Sequence, residues 1–411
     1  MTSDTPTWRK LISRRMLFCM LAGFSSGLPL YVVLQLLPAW LRDQGVDLGK
    51  IGLMSLVGFP YTWKFVWSPL LDRYAPPLGR RRGWALLMQL ACALGIAALG
   101  FCDPKVSLTA ISAIAALVAF GSATQDIVLD AWRRELLHDD ELGFGSALFV
   151  NAYRVAGLVP GSLALILADH LPWSTVYPIV GAFMLVGVLA TAVAPEVEDP
   201  HPPPTSLLDA IVSPFREFYA RGGLRGSSTL LAFMFLYKLG DVMATALATP
   251  FYLDLGFTKT DIGTVSKLVG LTATVIGGLL GGAIMARIGM RRSLQWFGVA
   301  QMVPIVGFAW LAQVGPSIPV LACVVAAENL GIGMGTTALV AFLQQATHKK
   351  FSATQFALFS SFVALPRMLA GATSGYLATA LGWPTFFVMC TALALPGLAL
   401  VGVVAPREPA R

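Results

Sequence analysis

Apolar stretches as long as a bilayer is thick follow one another along nearly the whole chain, which leaves few folds open to it. Crossing the hydrocarbon layer takes about 20 consecutive apolar residues in a helix. Twelve such stretches are read at 16–40, 51–71, 84–101, 106–131, 146–169, 174–194, 229–252, 262–286, 293–313, 318–344, 354–379 and 384–405. Hydrophobic residues make up 56% of the chain and charged residues only 12%, about half the charge of an average soluble domain. Strand-like alternation is absent, which argues against a membrane β-barrel. The expected fold class is therefore an all-α membrane protein with twelve transmembrane helices.

The design is stated twice. Arg42-Asp43-Gln44-Gly45-Val46, Ile51-Gly52 and Arg80-Arg81-Arg82 are matched by Leu253-Asp254-Leu255-Gly256-Phe257, Ile262-Gly263 and Arg291-Arg292. Gly45 and Gly256, Ile51 and Ile262, and Arg80 and Arg291 share an offset of 211 residues, while Arg154 and Arg367 lie 213 apart. Internal symmetry of this kind marks transporters assembled from repeated bundles. The expected division is an N-terminal six-helix bundle at 1–194, a cytoplasmic linker at 195–228 and a C-terminal six-helix bundle at 229–411. The linker opens Pro195-Glu196-Val197-Glu198-Asp199-Pro200, where proline and acid forbid a continuing helix. Leu207 to Tyr219 reads as a short amphipathic helix on the membrane surface.

The basic pI of about 9.3 reflects orientation rather than a nucleic-acid partner. With the N-terminus in the cytoplasm, 20 of the 29 Lys and Arg fall on that side, in clusters such as Arg9, Lys10, Arg14 and Arg15, then Arg80, Arg81 and Arg82, then Arg216, Arg221 and Arg225. Only four, Arg42, Lys50, Lys105 and Lys259, fall on the opposite side. This asymmetry places both termini in the cytoplasm by the positive-inside rule. The first apolar run is about 25 residues long and lacks a small-residue cleavage site, so it reads as an uncleaved span. The five cysteines are scattered and follow neither zinc spacing nor a disulfide framework. The four histidines fall in loops or at span ends. With no metal-ligand spacing, nucleophile elbow or catalytic dyad, neither a metal, a cofactor nor an enzymatic activity is expected.

Charges inside the spans are the functional clue. An ionisable group at bilayer depth costs on the order of 2.5–3.5 kcal/mol on insertion scales and is usually turned to a polar cavity or a partner. This chain carries Lys64, Asp126, Asp130, Arg154, Lys238, Asp241, Lys267, Glu328 and Arg367 at such places. Asp126 and Asp130 are four apart and share a helix face. Asp130 lies one turn before Arg133 and Arg134 and is expected at the interface, where an ion pair with a loop arginine competes with a functional role. Asp126 lies about 10 Å deeper at 1.5 Å per residue. Low-dielectric surroundings favour the neutral form of an acid, the property a proton-carrying site requires, so Asp126 is either a proton relay, a substrate contact or a static pair. Glu328, beside Asn329, is the second candidate proton carrier. Lys238 and Asp241 are three apart and either neutralise each other or meet substrate. Arg154, close to Asn151 and Tyr153, lies near mid-depth, and Arg367 follows Pro366. Lys64 sits between Trp63 and Trp67. Arginine binds carboxylates in bidentate fashion, and aromatic rings stack on sugar faces; each of these cations either contacts substrate or supports a helix interface. Lys267 is expected to snorkel to the outer face. Five cations against four acids favour an anionic substrate. The glycines Gly277, Gly278, Gly281, Gly282, Gly331, Gly333 and Gly335 lie in apolar helices without a P-loop lysine and read as close packing.

A family resemblance rests on consecutive motifs in the N-terminal half. These are Gly23-Phe24-Ser25-Ser26-Gly27-Leu28-Pro29-Leu30, then Val57-Gly58-Phe59-Pro60-Tyr61-Thr62-Trp63-Lys64-Phe65, then Trp67-Ser68-Pro69-Leu70-Leu71-Asp72-Arg73. Gly79-Arg80-Arg81-Arg82-Gly83-Trp84 and Ala123-Thr124-Gln125-Asp126-Ile127-Val128-Leu129-Asp130-Ala131-Trp132-Arg133 complete the set. The chain resembles the AmpG-type muropeptide permeases of the major facilitator superfamily. The resemblance implies two six-helix bundles that rock about a midplane cavity. It implies proton-driven import of anhydromuropeptides, GlcNAc–anhydroMurNAc with or without peptide, across the bacterial inner membrane for cell-wall recycling, a route that also feeds β-lactamase induction. It carries over Lys64, Gln125, Asp126, Asp130 and Arg154 as functional positions, and Asp72, Arg73, Arg80 and Arg81 as a gating loop. Ser68 replaces the expected glycine of that loop, Tyr74 to Leu78 lengthen it, and the second copy keeps Arg287, Gly289, Arg291 and Arg292 without the acid. Some family members carry two further spans. The expected partners are an anionic saccharide-peptide, protons and the lipid bilayer, with a monomer as the working unit. Rival readings are a same-fold carrier of another anionic metabolite, such as an acyl-CoA or siderophore, and a non-transporting membrane sensor.

Overall fold

In a computed structural model of the 411-residue chain, residues 13–46, 54–194 and 206–405 are described. Arg9, Lys10, Lys50, Ile51, Gly52, the proline-rich start of the linker at 195–205, Arg407 and Arg411 lie outside the described residues, as does the side chain of Lys267.

Helix is the only regular structure among the described residues. Ten helices are long and apolar enough to cross a bilayer. Of the other two expected spans, 354–379 falls within the 30-residue helix Ser352–Leu381. The stretch 51–71 is broken into Phe59–Trp63, a 3-10 turn Lys64–Val66, and Ser68–Arg73. Pro60 and Pro69 each sit in the first turn of one of these short helices, where a missing N–H leaves no hydrogen bond unmade. The break turns the Lys64 side chain inward, leaving it 8% exposed. Glycine breaks another helix: within Leu207–Ala246, Gly223 has φ 62°, so the expected linker helix ends there and a new one begins.

One boundary matters for the site. The span expected at 106–131 extends to Leu136 in the helix Leu108–Leu136. Arg133 and Arg134, expected in a loop, are therefore helical and buried, at 1% and 7% exposure.

By contacts the chain forms two compact units. The first holds residues 1–139, 148–215 and 347–361; the second holds 140–147, 216–346 and 362–411. The first is cored by Trp40, Ile96, Val118 and Tyr177 among others, with the rings of Trp40 and Tyr177 4.9 Å apart. The second is cored by Phe251, Phe308 and Phe387, with Phe251 and Phe387 at 4.7 Å.

Each unit repeats the other's local solutions. In the first, Trp173 Nε1 donates to Asp43 Oδ2 at 2.9 Å; in the second, Trp383 Nε1 donates to Asp254 Oδ2 at 3.1 Å. Gly45 and Gly256 follow those acids with φ of 79° and 91°, a left-handed turn that glycine adopts without strain. Gly79 and Gly289, ahead of the arginine clusters, have φ of 100° and 82°. The glycines read as packing positions do pack closely. A side chain on Gly277 would strike the Leu330 backbone, one on Gly333 the Thr274 backbone, and one on Gly331 the Ala300 backbone. All five cysteines are free.

Gly333→Val, which pushes two helix backbones apart, is expected to cost about 1–3 kcal/mol and to lower the melting temperature of the purified protein. Gly375→Ala, at a glycine with nothing within 4 Å, is expected to leave it unchanged or raise it. Equal melting temperatures for the two variants would refute the packing assignment.

Candidate functional site

The first unit gathers a polar group around Asp126. The Leu108–Leu136 helix carries Gln125, Asp126, Asp130 and Arg133, all buried. Ser26, on the facing helix Arg14–Tyr31, donates its hydroxyl to Asp126 Oδ1, and Ser25 accepts from Gln125 Nε2 at 3.3 Å. On the same helix, Gly23 and Gly27 lie against the backbone of Phe149 and Tyr153 in the helix Leu142–Ala156. Lys64, Asp130 and Arg133 are the charges that act on Asp126. The expected ion pair of Asp130 is present, with Arg133 Nη2 donating to its Oδ1 at 2.8 Å, though its partner belongs to the helix and not to a loop. The Arg133 guanidinium also lies 3.9 Å from the Phe149 ring centroid, a face-on cation–π arrangement. Its Nε and Nη1 have no hydrogen-bond partner among the described residues, nor does Gln125 Oε1.

The remaining candidates of this unit divide. Asn151 is buried, while Tyr153 and Arg154 are half-buried on the same helix, Leu142–Ala156. Tyr153 lies within electrostatic reach of both Asp126 and Asp130, and its ring meets Tyr31 edge-on at 5.8 Å. Trp63 is 43% exposed and stacks with Phe59 and Phe65, so it presents an aromatic face. Trp67 instead braces the broken second span, donating to Thr124 Oγ1 at 3.1 Å and packing on Phe120.

The second unit gathers a different group. Lys238 Nζ donates to Asp241 Oδ2 and to Gln301 Oε1, both at 2.7 Å. Mutual neutralisation, one of the two readings of this pair, is what the geometry shows. Glu328, 3% exposed, lies within electrostatic reach of Asp241 and Lys238, and its Oε1 has no partner among the described residues. Arg367 is exposed, and no described contact draws it into this group.

A third network ties the gating-loop residues together. Arg81, with a side chain 3% exposed, pairs with Asp72 at 2.9 Å and with Glu135 at 2.7 Å. Arg80 reaches Glu135 at 3.4 Å. Ser352 donates to Glu135 at 2.6 Å. Asp72 Oδ2 accepts from both the backbone N–H and the hydroxyl of Thr354, placing an anion on the first turn of the helix Ser352–Leu381, where N–H groups lack intrahelical partners. The Arg73 guanidinium lies 5.5 Å from the Tyr74 ring centroid. Ser26, Arg133, Glu135, Gln301, Ser352 and Thr354 are the participants that sequence reading missed. For Arg133 and Glu135 a signal existed: the helical charge pattern continues unbroken through Trp132 to Leu136.

Removing one anion from the buried Arg81 is expected to cost about 3 kcal/mol, the lower end for a buried pair because Asp72 remains. Glu135→Gln should thus lower thermal stability more than Arg80→Gln does. Equal losses would contradict the ranking.

Comparison with known proteins agrees with this architecture. The Major Facilitator Superfamily pattern matches residues 19–371. The anhydromuropeptide permease of Escherichia coli K12 is 43% identical over 385 residues, covering 93% of this chain and 78% of that protein. An uncharacterized protein of Haemophilus influenzae is 44% identical over 410 residues, covering 97% of this chain and 96% of that protein. Among solved structures, the E. coli fucose:proton symporter FucP superposes with a TM-score of 0.75 at 14% identity, covering 97% of this chain and all of that one.

Proposed function

The chain belongs to the Major Facilitator Superfamily, and as a multi-span membrane transporter of that family we propose that it imports anhydromuropeptides by proton symport. The observation that carries the substrate is the 43% identity, over 93% of the chain, to a protein named for that activity. The proposed direction is from periplasm to cytoplasm across a bacterial inner membrane, with both termini cytoplasmic, as the arginine asymmetry supports. The proposed division into bundles at 1–194 and 229–411 lets the halves alternate access to a midplane site.

The two polar groups support distinct roles. Asp126 is the proposed proton carrier of the first unit, because its one described hydrogen bond is to a hydroxyl, while Lys64, Asp130 and Arg133 act on it without an ion pair. Asp130 is held by Arg133, so its role is to keep that guanidinium in place. Glu328 is the proposed carrier of the second unit, since a buried carboxylate oxygen without a donor is costly as an ion. Lys64 and Arg154 suit the carboxylates of a peptide stem, with Arg367 as a further candidate. Asn151, Gln125 and Tyr153 suit hydroxyl and amide groups, and the exposed Trp63 suits a sugar face. Lys238 and Asp241, bound to each other, act as a fixed support for Gln301. The network of Asp72, Arg80, Arg81 and Glu135 is the proposed gate, Arg73 standing beside it.

Purified protein in liposomes with an imposed pH gradient tests the reading. Labelled anhydromuropeptide should accumulate, and unlabelled anhydromuropeptide should compete where an acyl-CoA or a siderophore does not; the reverse competition would overturn the substrate. The membrane potential supplies about 2.3 kcal/mol per charge per 100 mV, so coupling is visible as uncoupler-sensitive accumulation. Asp126→Asn should abolish that accumulation while leaving substrate counterflow; full accumulation in this variant would remove Asp126 from the proton path.

Arg154→Ala should raise the apparent KM roughly ten- to a hundredfold, the loss of one charge-assisted hydrogen bond. An unchanged KM would make Arg154 part of the scaffold.

A further inference from the structure

Two cavities outside the polar groups described above occupy repeat-related places. One, of about 570 Å³, lies in the second unit and is lined by Arg221, Arg225, Thr229, Leu230 and Val403 among others. The other, of about 610 Å³, lies in the first unit and is lined by Arg14, Phe18, Arg82, Val193 and Ala194 among others. Arg14 and Arg225, and Phe18 and Thr229, differ by 211 positions, while Val193 and Val403 differ by 210. These match the 211-residue offset of the internal repeat to within one position, so each unit has built a hollow between the start of its first span and the end of its last.

The chemistry of the two hollows is the same although their residues differ. Each carries two arginines and no carboxylate among its described lining residues. Each has an apolar wall with a fully exposed aliphatic rim, Val193 at 84% and Val403 at 74%. Arg82 is braced by a hydrogen bond to the Ala194 carbonyl at 2.5 Å, and Arg221 lies 3.6 Å from Glu217, one helical turn away. Near Arg225 the chain breaks at Gly223, and Gly226 and Ser227, at the start of the next helix, line the same cavity. Two arginines and an apolar wall with an exposed rim, lining one hollow, fit a ligand with an anionic head and a hydrocarbon body. A free anion uses only the arginines; a neutral lipid uses only the wall.

We infer that the two cavities are a repeat-related pair of binding sites for anionic phospholipid, each seating a headgroup phosphate on Arg14 and Arg82 or on Arg221 and Arg225. All four arginines fall on the side proposed as cytoplasmic, so the occupant comes from that leaflet, where basic pockets between spans hold acidic lipid heads.

Native mass spectrometry of the full-length protein, titrated with phosphatidylglycerol, tests this independently of transport. Two retained lipids per chain are expected. Arg221→Gln with Arg225→Gln should remove one and Arg14→Gln with Arg82→Gln the other, at roughly fivefold in apparent affinity per arginine. Leu17→Trp, which fills the first-unit cavity and keeps both arginines, should also lose one lipid, so a folding defect of the Arg82 variant cannot decide the result. Arg287→Gln with Arg292→Gln, at exposed arginines outside both cavities, should retain both lipids. The inference is overturned if that control pair costs as much, if phosphatidylcholine is retained equally, or if inorganic phosphate displaces the lipid at millimolar concentration.

Discussion

Hydrocarbon offers a polar group nothing to bond with, so each one buried in this protein must be answered by the protein itself. That single constraint explains the absence of strands among the described residues and the glycines wherever helices touch. It also explains the sorting of buried charge into a few compact groups. Gly277, Gly331 and Gly333 bring backbones together where side chains would hold them apart, and helix association in lipid depends on such contact because no water is expelled. The same closeness puts Thr274 within 2.9 Å of Asn329, and at another helix crossing Ser26 bonds Asp126. Packing and polar satisfaction are one problem here.

The two units solve that problem to different degrees. In the second, Lys238 is fully engaged by Asp241 and Gln301, a pair that is expensive to break because either partner alone would be an uncompensated buried charge. Glu328 is left with one bare oxygen beside this fixed pair. In the first, Asp130 and Arg133 form the fixed pair and Asp126 is the looser acid, with Lys64 brought near by a broken helix. Each unit thus sets a rigid ion pair beside a less committed carboxyl group.

The helical class, the duplication and the glycine packing were legible because they follow from composition and period, which act over many residues at once. The acids and cations at bilayer depth were legible because lipid makes them conspicuous. What escaped was of another kind. Ser26 and Gln301 are uncharged and look like ordinary span residues; only the crossing of two helices makes them partners. Arg133 and Glu135 were misplaced because the span was ended where hydrophobicity fell, although the helix carries on for another turn with its arginine folded over Phe149. Arg367 is conspicuous in the sequence as a charge within an apolar run, and its side chain is exposed.

The missing acid of the second repeat has a physical counterpart. In the first unit, residues 347–361 are held by charge: Asp72 caps the helix start at Thr354, and Arg81 and Glu135 meet Ser352. In the second unit, the corresponding residues 140–147 are held by shape. A side chain on Gly143 would strike Met285, and one on Gly282 would strike Ala147, while Arg287 and Arg292 remain exposed. The ionic attachment responds to protonation and to any charge that approaches it; the apolar one does not. The departure from strict repetition thus leaves one such contact built on charge and the other on shape.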